Sequence, residues 1–119
     1  MSTSDTATLD HKLNEQILTG DILGAFDTYY ADDIVMQENA AEPFVGKVLN
    51  RKREQDFIDS VQEFHGMKLL GSAVAGDTSY SEWEMELTFK AHGRVKMSQV
   101  AARRWKDGKV SHERFYYKG

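Results

Sequence analysis

Apolar positions recur at helical spacing in the first half of the chain and at every second residue in the last part, so the pattern predicts helices followed by a sheet. Leu9, Leu13 and Ile17 mark a first helix that stops at Gly20, and Asp21 can cap a second helix carrying Ile22, Ala25, Phe26, Tyr29 and Tyr30. Residues 1–8 read as a flexible N-terminus ahead of one domain over 9–119. Asp32 and Asp33 break the second helix, Ile34 to Met36 form a short β-type run, and Asn39 to Gly46 read as a loop around the single proline, Pro43. Asn50 can cap a third helix whose apolar stripe is Phe57, Ile58, Val61 and Phe64 and which ends at Gly66.

From Met67 onward the period is two, with strands expected at about 67–75, 78–90, 94–105 and 109–117 and turns at Gly76-Asp77, Ala91 to Gly93 and Asp107-Gly108. Trp83, Met85, Leu87 and Phe89 share one face of the second of these strands, and Glu82, Glu84, Glu86 and Thr88 share the other. For Val95, Met97, Gln99, Ala101, Arg103 and Trp105 to join the buried face, the connecting loop must hold an odd number of residues. A loop of Ala91, His92 and Gly93 satisfies this, sets Glu86 opposite Ser98 and leaves Glu82 and Glu84 near Arg104. The last strand has two solutions. A two-residue Asp107-Gly108 turn turns Val110, His112, Arg114 and Tyr116 inward, whereas a bulged turn from Lys106 buries Glu113, Phe115 and Tyr117. The second is preferred, because it sets an acid beside Arg103.

Composition narrows the function classes. The chain has 119 residues, 40% of them hydrophobic and 11% aromatic, which suits one domain with a real core. Its 15 Lys and Arg against 19 Asp and Glu give a net charge of -4 without a basic tract, so a nucleic-acid partner has no electrostatic basis. The absence of cysteine removes disulfides, thiolate catalysis and Cys-ligated zinc. His11, His65, His92 and His112 are scattered, so no metal is expected. Neither GxGxxG, GxxxxGKT nor GxSxG occurs, so no nucleotide cofactor and no serine nucleophile are expected. No apolar run approaches the ~20 residues of a membrane span, and the start MSTSDTATLD lacks a basic and then apolar leader, so a cytoplasmic location is expected.

The order of three helices, a short strand before the third and a run of antiparallel strands resembles the NTF2-like superfamily, in its SnoaL-like and ketosteroid-isomerase-like branch. The carriers are TGDILGAFDTYYADDIVMQENAAEPFVGK and, at the end, RRWKDGKVSHERFYY. The resemblance covers nearly the whole chain. It implies an α+β, NTF2-like cone: three N-terminal helices packed on a strongly curved, mostly antiparallel sheet, with a pocket on the concave face, usually as a homodimer. Counted from Ala31-Asp32-Asp33, Glu38 falls where ketosteroid isomerases keep the carboxylate that shuttles a proton beside a carbonyl. The oxyanion-hole tyrosine of those enzymes falls on Leu13 and their protonated aspartate on Ala101 or Ala102, so steroid isomerase chemistry would need Gln99 or Arg103 as a substitute donor.

Glu38 is the candidate catalytic base. Buried among Phe44, Trp83 and the helix aromatics, its pKa would rise toward a useful range, whereas a Glu ending a short strand is ordinarily solvated. Gln99 and Arg103 interrupt an apolar face. They either orient a ligand, with Arg103 paired to Glu113, or serve structure, Arg103 snorkelling to the rim and Gln99 bonding backbone. Tyr30, Phe44, Phe57, Trp83, Met85 and Met97, with Phe115 and Tyr117, complete the expected ligand-binding wall. The expected partner is a small apolar or amphipathic molecule, on which Glu38 would act as acid/base in an isomerisation, aldol cyclisation or related hydrolysis of a carbonyl compound. The alternative is a non-catalytic NTF2-like ligand-binding or dimerisation module, with Val100 and Ala102 at the centre of an outer-face interface ringed by Glu84, Arg104, His112 and Arg114.

Overall fold

A computed structural model describes residues 2–118. Helix α1 spans Thr3–Leu18 and begins with a reciprocal cap: the Asp5 N–H donates to the Ser2 hydroxyl at 3.1 Å, and the Ser2 N–H donates to the Asp5 carboxylate at 3.3 Å. The segment read as a flexible N-terminus is therefore helical from Thr3, with Thr6 buried, while Met1 lies outside the described residues. Its first turn is polar, so the apolar repeat that starts at Leu9 gave no sign of it. Gly20, at φ 92°, reverses the chain, and Asp21 caps α2 (Ile22–Tyr29) by accepting the Gly24 N–H at 3.0 Å.

Strand β1 (Tyr30–Glu38) starts directly at the end of α2, so Tyr30 opens the strand, and Asp32 and Asp33 lie exposed within it rather than in a break. A two-residue strand β2 (Phe44–Val45) pairs back on β1. Gly46, at φ 102°, precedes α3 (Lys47–Ser60). Asn50 is not the cap. It sits fully buried inside α3 and donates its amide to the carbonyls of Phe44 and Gly46, both at 2.9 Å, which straps β2 to the helix.

Val61 and Phe64, expected on the third helix, belong instead to β3 (Val61–Ala75). Three register shifts against its neighbour, between Val61 and Glu63, Phe64 and Gly66, and Leu69 and Gly71, destroy the alternation that would have marked it. Strands β4 (Thr78–Phe89), β5 (Gly93–Lys106) and β6 (Lys109–Tyr116) complete one six-stranded sheet of order β2-β1-β6-β5-β4-β3. Only the β1–β6 pairing is parallel. The helices pack on one face of this curved sheet, giving an α+β fold with a core of Leu13, Ala25, Phe26, Tyr30, Ile34, Met36, Trp105 and Val110.

The β4–β5 hairpin keeps the expected parity but sits two residues away in register. Phe89 pairs with Gly93, so Glu86 faces Lys96 rather than Ser98. Arg94 at 2.8 Å and Lys96 at 3.3 Å pair with Glu86 and Glu84, so the cation beside Glu84 is Lys96 rather than the expected Arg104. At the β5–β6 hairpin, Asp107 and Gly108, at φ 52° and 80°, form the two-residue turn, and a bulge at Ser111 then shifts the register. Both solutions read from the sequence are thus half right: Val110 and Glu113 are both buried.

Candidate functional site

Between the helices and the concave sheet face lies a cavity of about 560 Å³. Helices α1 and α2 contribute Leu13, Ile17, Ile22, Ala25 and Phe26, and α3 contributes Arg53, Glu54, Asp56 and Phe57. The sheet supplies Tyr30, Glu38, Met67, Trp83, Met85, Met97, Gln99, Arg103, Glu113 and Phe115, and Tyr117 follows β6. Of the wall expected from sequence only Phe44 is elsewhere: it lies on β2 with the Arg53 guanidinium 3.7 Å above its ring.

One side of the cavity is backed by a buried polar cluster. Arg103 does not snorkel; it is 2% exposed and donates to Glu113 at 2.7 Å, to Asp10 at 2.9 Å and to Asn14 at 2.7 Å. The Tyr30 hydroxyl stands 2.7 Å from both oxygens of Glu113, so its proton is committed there. Ser79 donates to Asp10 at 2.7 Å and accepts from the Trp105 indole at 3.0 Å, while Asn14 donates to Ser81 at 2.9 Å. Burial and then the charge of Glu113 push the Tyr30 phenol well above its usual range. Burial opposes the charge of Arg103, but Tyr30, Glu113 and Asp10 around it hold it firmly protonated. No buried side-chain nitrogen or oxygen lacks a partner among the described residues. Asp10 and Asn14 escaped the sequence reading. With Thr6 they form a polar stripe at i, i+4 spacing beside Leu9 and Leu13, which looks like a solvated helix face until the sheet covers it.

The carboxylates near the mouth differ in environment. Glu38 ends β1 with its side chain 33% exposed and pairs with Arg53 at 3.3 Å. Arg53 is in turn fixed by Asn50 at 3.0 Å, and the Tyr117 hydroxyl, raised in pKa by burial and then by the charge of Glu38, donates to that carboxylate. The apolar burial expected for Glu38 is therefore not its environment. That environment belongs to Glu54, one turn beyond Asn50 and one turn before Phe57 on the cavity side of α3. It is half-buried and makes no hydrogen bond within the described residues. Burial first, and the charge of Glu113 second, push its pKa up to about 7 against the opposing pull of Arg53. The spacing Asn50, Glu54, Phe57 was the available signal: an acid in register with positions that face inward.

The SnoaL-like domain family matches residues 2–117. The chain belongs to the SnoaL-like domain family. A Mesorhizobium loti protein described as a candidate SnoaL-like polyketide cyclase is 34% identical, with a TM-score of 0.86 over 93% of this chain and 97% of that one. An epoxide hydrolase of the LEH-like type from M. tuberculosis shares the fold at 16% identity, with a TM-score of 0.76 over 98% of this chain and 84% of that one. So does a Catenulispora acidiphila protein of ketosteroid isomerase-like fold, in complex with trimethylamine, at 15% identity and a TM-score of 0.71 over 87% and 80% of the two chains. No curated protein matches the chain in sequence.

In this SnoaL-like domain, Leu13 and Ala101 are fully buried and offer no polar hydrogen, and Ala102 lies on the opposite sheet face. Arg103 is engaged by Glu113, Asp10 and Asn14 in the buried cluster, which leaves the half-buried Gln99 amide, without a side-chain hydrogen bond among the described residues, as a free donor on the wall. The described residues hold no group of three or more His, Cys, Asp or Glu placed to bind a metal, and no helix among them is long and apolar enough to cross a membrane.

Proposed function

We propose that this SnoaL-like domain binds a small apolar or amphipathic carbonyl compound and moves a proton on it, with Glu54 as the acid/base group. One observation carries the reading: an unpaired carboxyl whose pKa is about 7 stands on a mostly apolar wall. Gln99 donates its amide to the carbonyl oxygen of the substrate. The Glu54 carboxylate then takes a proton from the adjacent carbon, the C–H electron pair moves to the carbonyl oxygen, and the proton returns at another atom. Isomerisation follows this whole sequence and an aldol cyclisation shares its proton abstraction, whereas in a related hydrolysis the same carboxylate takes its proton from the water that attacks the substrate. Glu38, the base expected from sequence, acts at the mouth by fixing Arg53 and Tyr117.

The test is deuterium uptake from D2O beside the carbonyl of apolar cyclic ketones, followed by NMR. The expected result is that Glu54→Gln loses about 10² to 10⁴ of the exchange rate, while Glu38→Gln stays within severalfold. Equal exchange by Glu54→Gln and wild type would overturn the assignment. A second reading concerns assembly. The outer sheet face carries a recess lined by Val100, Ala102, Tyr80 and Tyr116, by the cations Arg104 and Arg114 and by His112, and this supports a homodimer formed through that face.

A further inference from the structure

We infer that the molecule seated in the cavity carries a positively charged nitrogen, a tertiary or quaternary ammonium group, held against Glu54 and the aromatic side chains beside it. This rests on the small-molecule reading above and narrows its substrate. Both arginines on the wall are already neutralised. Arg53 is occupied by Glu38, Asn50 and the Phe44 ring, and Arg103 by Glu113, Asp10 and Asn14. One guanidinium between two buried carboxylates leaves a negative charge uncompensated behind the wall.

The charged and titratable groups that act on Glu54 are Glu113 from β6, Glu38 and Tyr30 from β1 and Arg53 from its own helix, while Arg103, Tyr117 and Asp56, the last paired with Lys52 at 3.0 Å, line the same cavity. The field they make is negative, and no free cation on the wall could receive an anionic ligand. A neutral apolar ligand would seal Glu54 from water and favour its protonated form. An ammonium group satisfies both constraints. It supplies the missing counter-charge, and Phe57, one turn from Glu54, lines the cavity together with Trp83 and Phe115, the side-chain type that attracts a desolvated cation.

Phenyltrimethylammonium and its uncharged isostere tert-butylbenzene test this by NMR titration from about pH 5 to about pH 8. The expected affinity of the wild type for the cation rises by up to about tenfold per pH unit below about pH 7 and levels off above it, because binding requires the ionised carboxylate. Glu54→Gln is expected to lose this slope and to bind the cation about tenfold or more weakly at the upper end, while Glu54→Asp keeps the slope. A flat profile for wild type, or a cation affinity unchanged in Glu54→Gln, overturns the inference. Binding of tert-butylbenzene without binding of the cation also overturns it but leaves the small-molecule reading standing. If neither probe binds at millimolar concentration, both readings fall.

Discussion

Glu54 is held in surroundings that penalise its charge, so the same side chain that suits proton transfer weakens the fold whenever it is ionised. Its pKa is about 7 in the folded chain against 4.5 for an unperturbed glutamate. A carboxyl whose folded pKa is raised contributes no penalty below the unfolded value and a growing one as pH rises through the folded value. Glu54→Gln is therefore expected to match wild type in stability near the unfolded pKa and to exceed it above neutrality, by up to about 2 to 3 kcal/mol. Urea denaturation across pH reads this directly, and a variant less stable than wild type in alkaline buffer would contradict it. Glu38 illustrates the opposite case. Its ion pair with Arg53 gives it a fixed position, and the acid/base role proposed above falls on the following helix instead.

At the scale of elements, Asn50 decides how the mouth of the cavity is built. Its amide ties β2 to α3 and its carbonyl oxygen receives Arg53, which in turn holds Glu38. Asn50→Ala strips partners from the Phe44 and Gly46 carbonyls and is expected to cost about 1 to 3 kcal/mol, measured by denaturation, with faster hydrogen exchange at β2. A loss below a few tenths of that range would show that water replaces the strap. The elements themselves were readable where local signals agreed. Alternation in β4 and β5, the glycine turns and the Asp21 cap each act within a few residues. The bulged β3, the acidic start of β1 and the polar first turn of α1 were hidden because tertiary pairing there overrides local pattern. The site follows the same rule: the apolar wall came from periodicity, whereas Asp10 and Asn14 become buried, and Glu54 half-buried, only when α1 and α3 close over the sheet.

For the whole molecule, the cavity accounts for one face of the sheet and leaves the other to be covered. On the outer face Tyr80 and Tyr116 are exposed around Val100 and Ala102, while Arg104, His112 and Arg114 cluster with no acidic partner in an ion pair among the described residues. A two-fold axis near Val100 would bring this basic end of one copy toward Glu82, the cross-strand partner of Val100, in the other. Ala102→Arg adds a cation at the centre of that contact and is expected to give a monomer with an unchanged circular dichroism spectrum. His112 supplies an independent readout. Burial, then Arg104 and Arg114, lower its pKa, so proton uptake beside two arginines becomes costly and association should weaken as pH falls below the ordinary histidine range. Sedimentation at micromolar concentration checks both: a dimer at neutral pH that dissociates on acidification is expected, and a wild-type monomer at neutral pH would remove the outer face from the assembly.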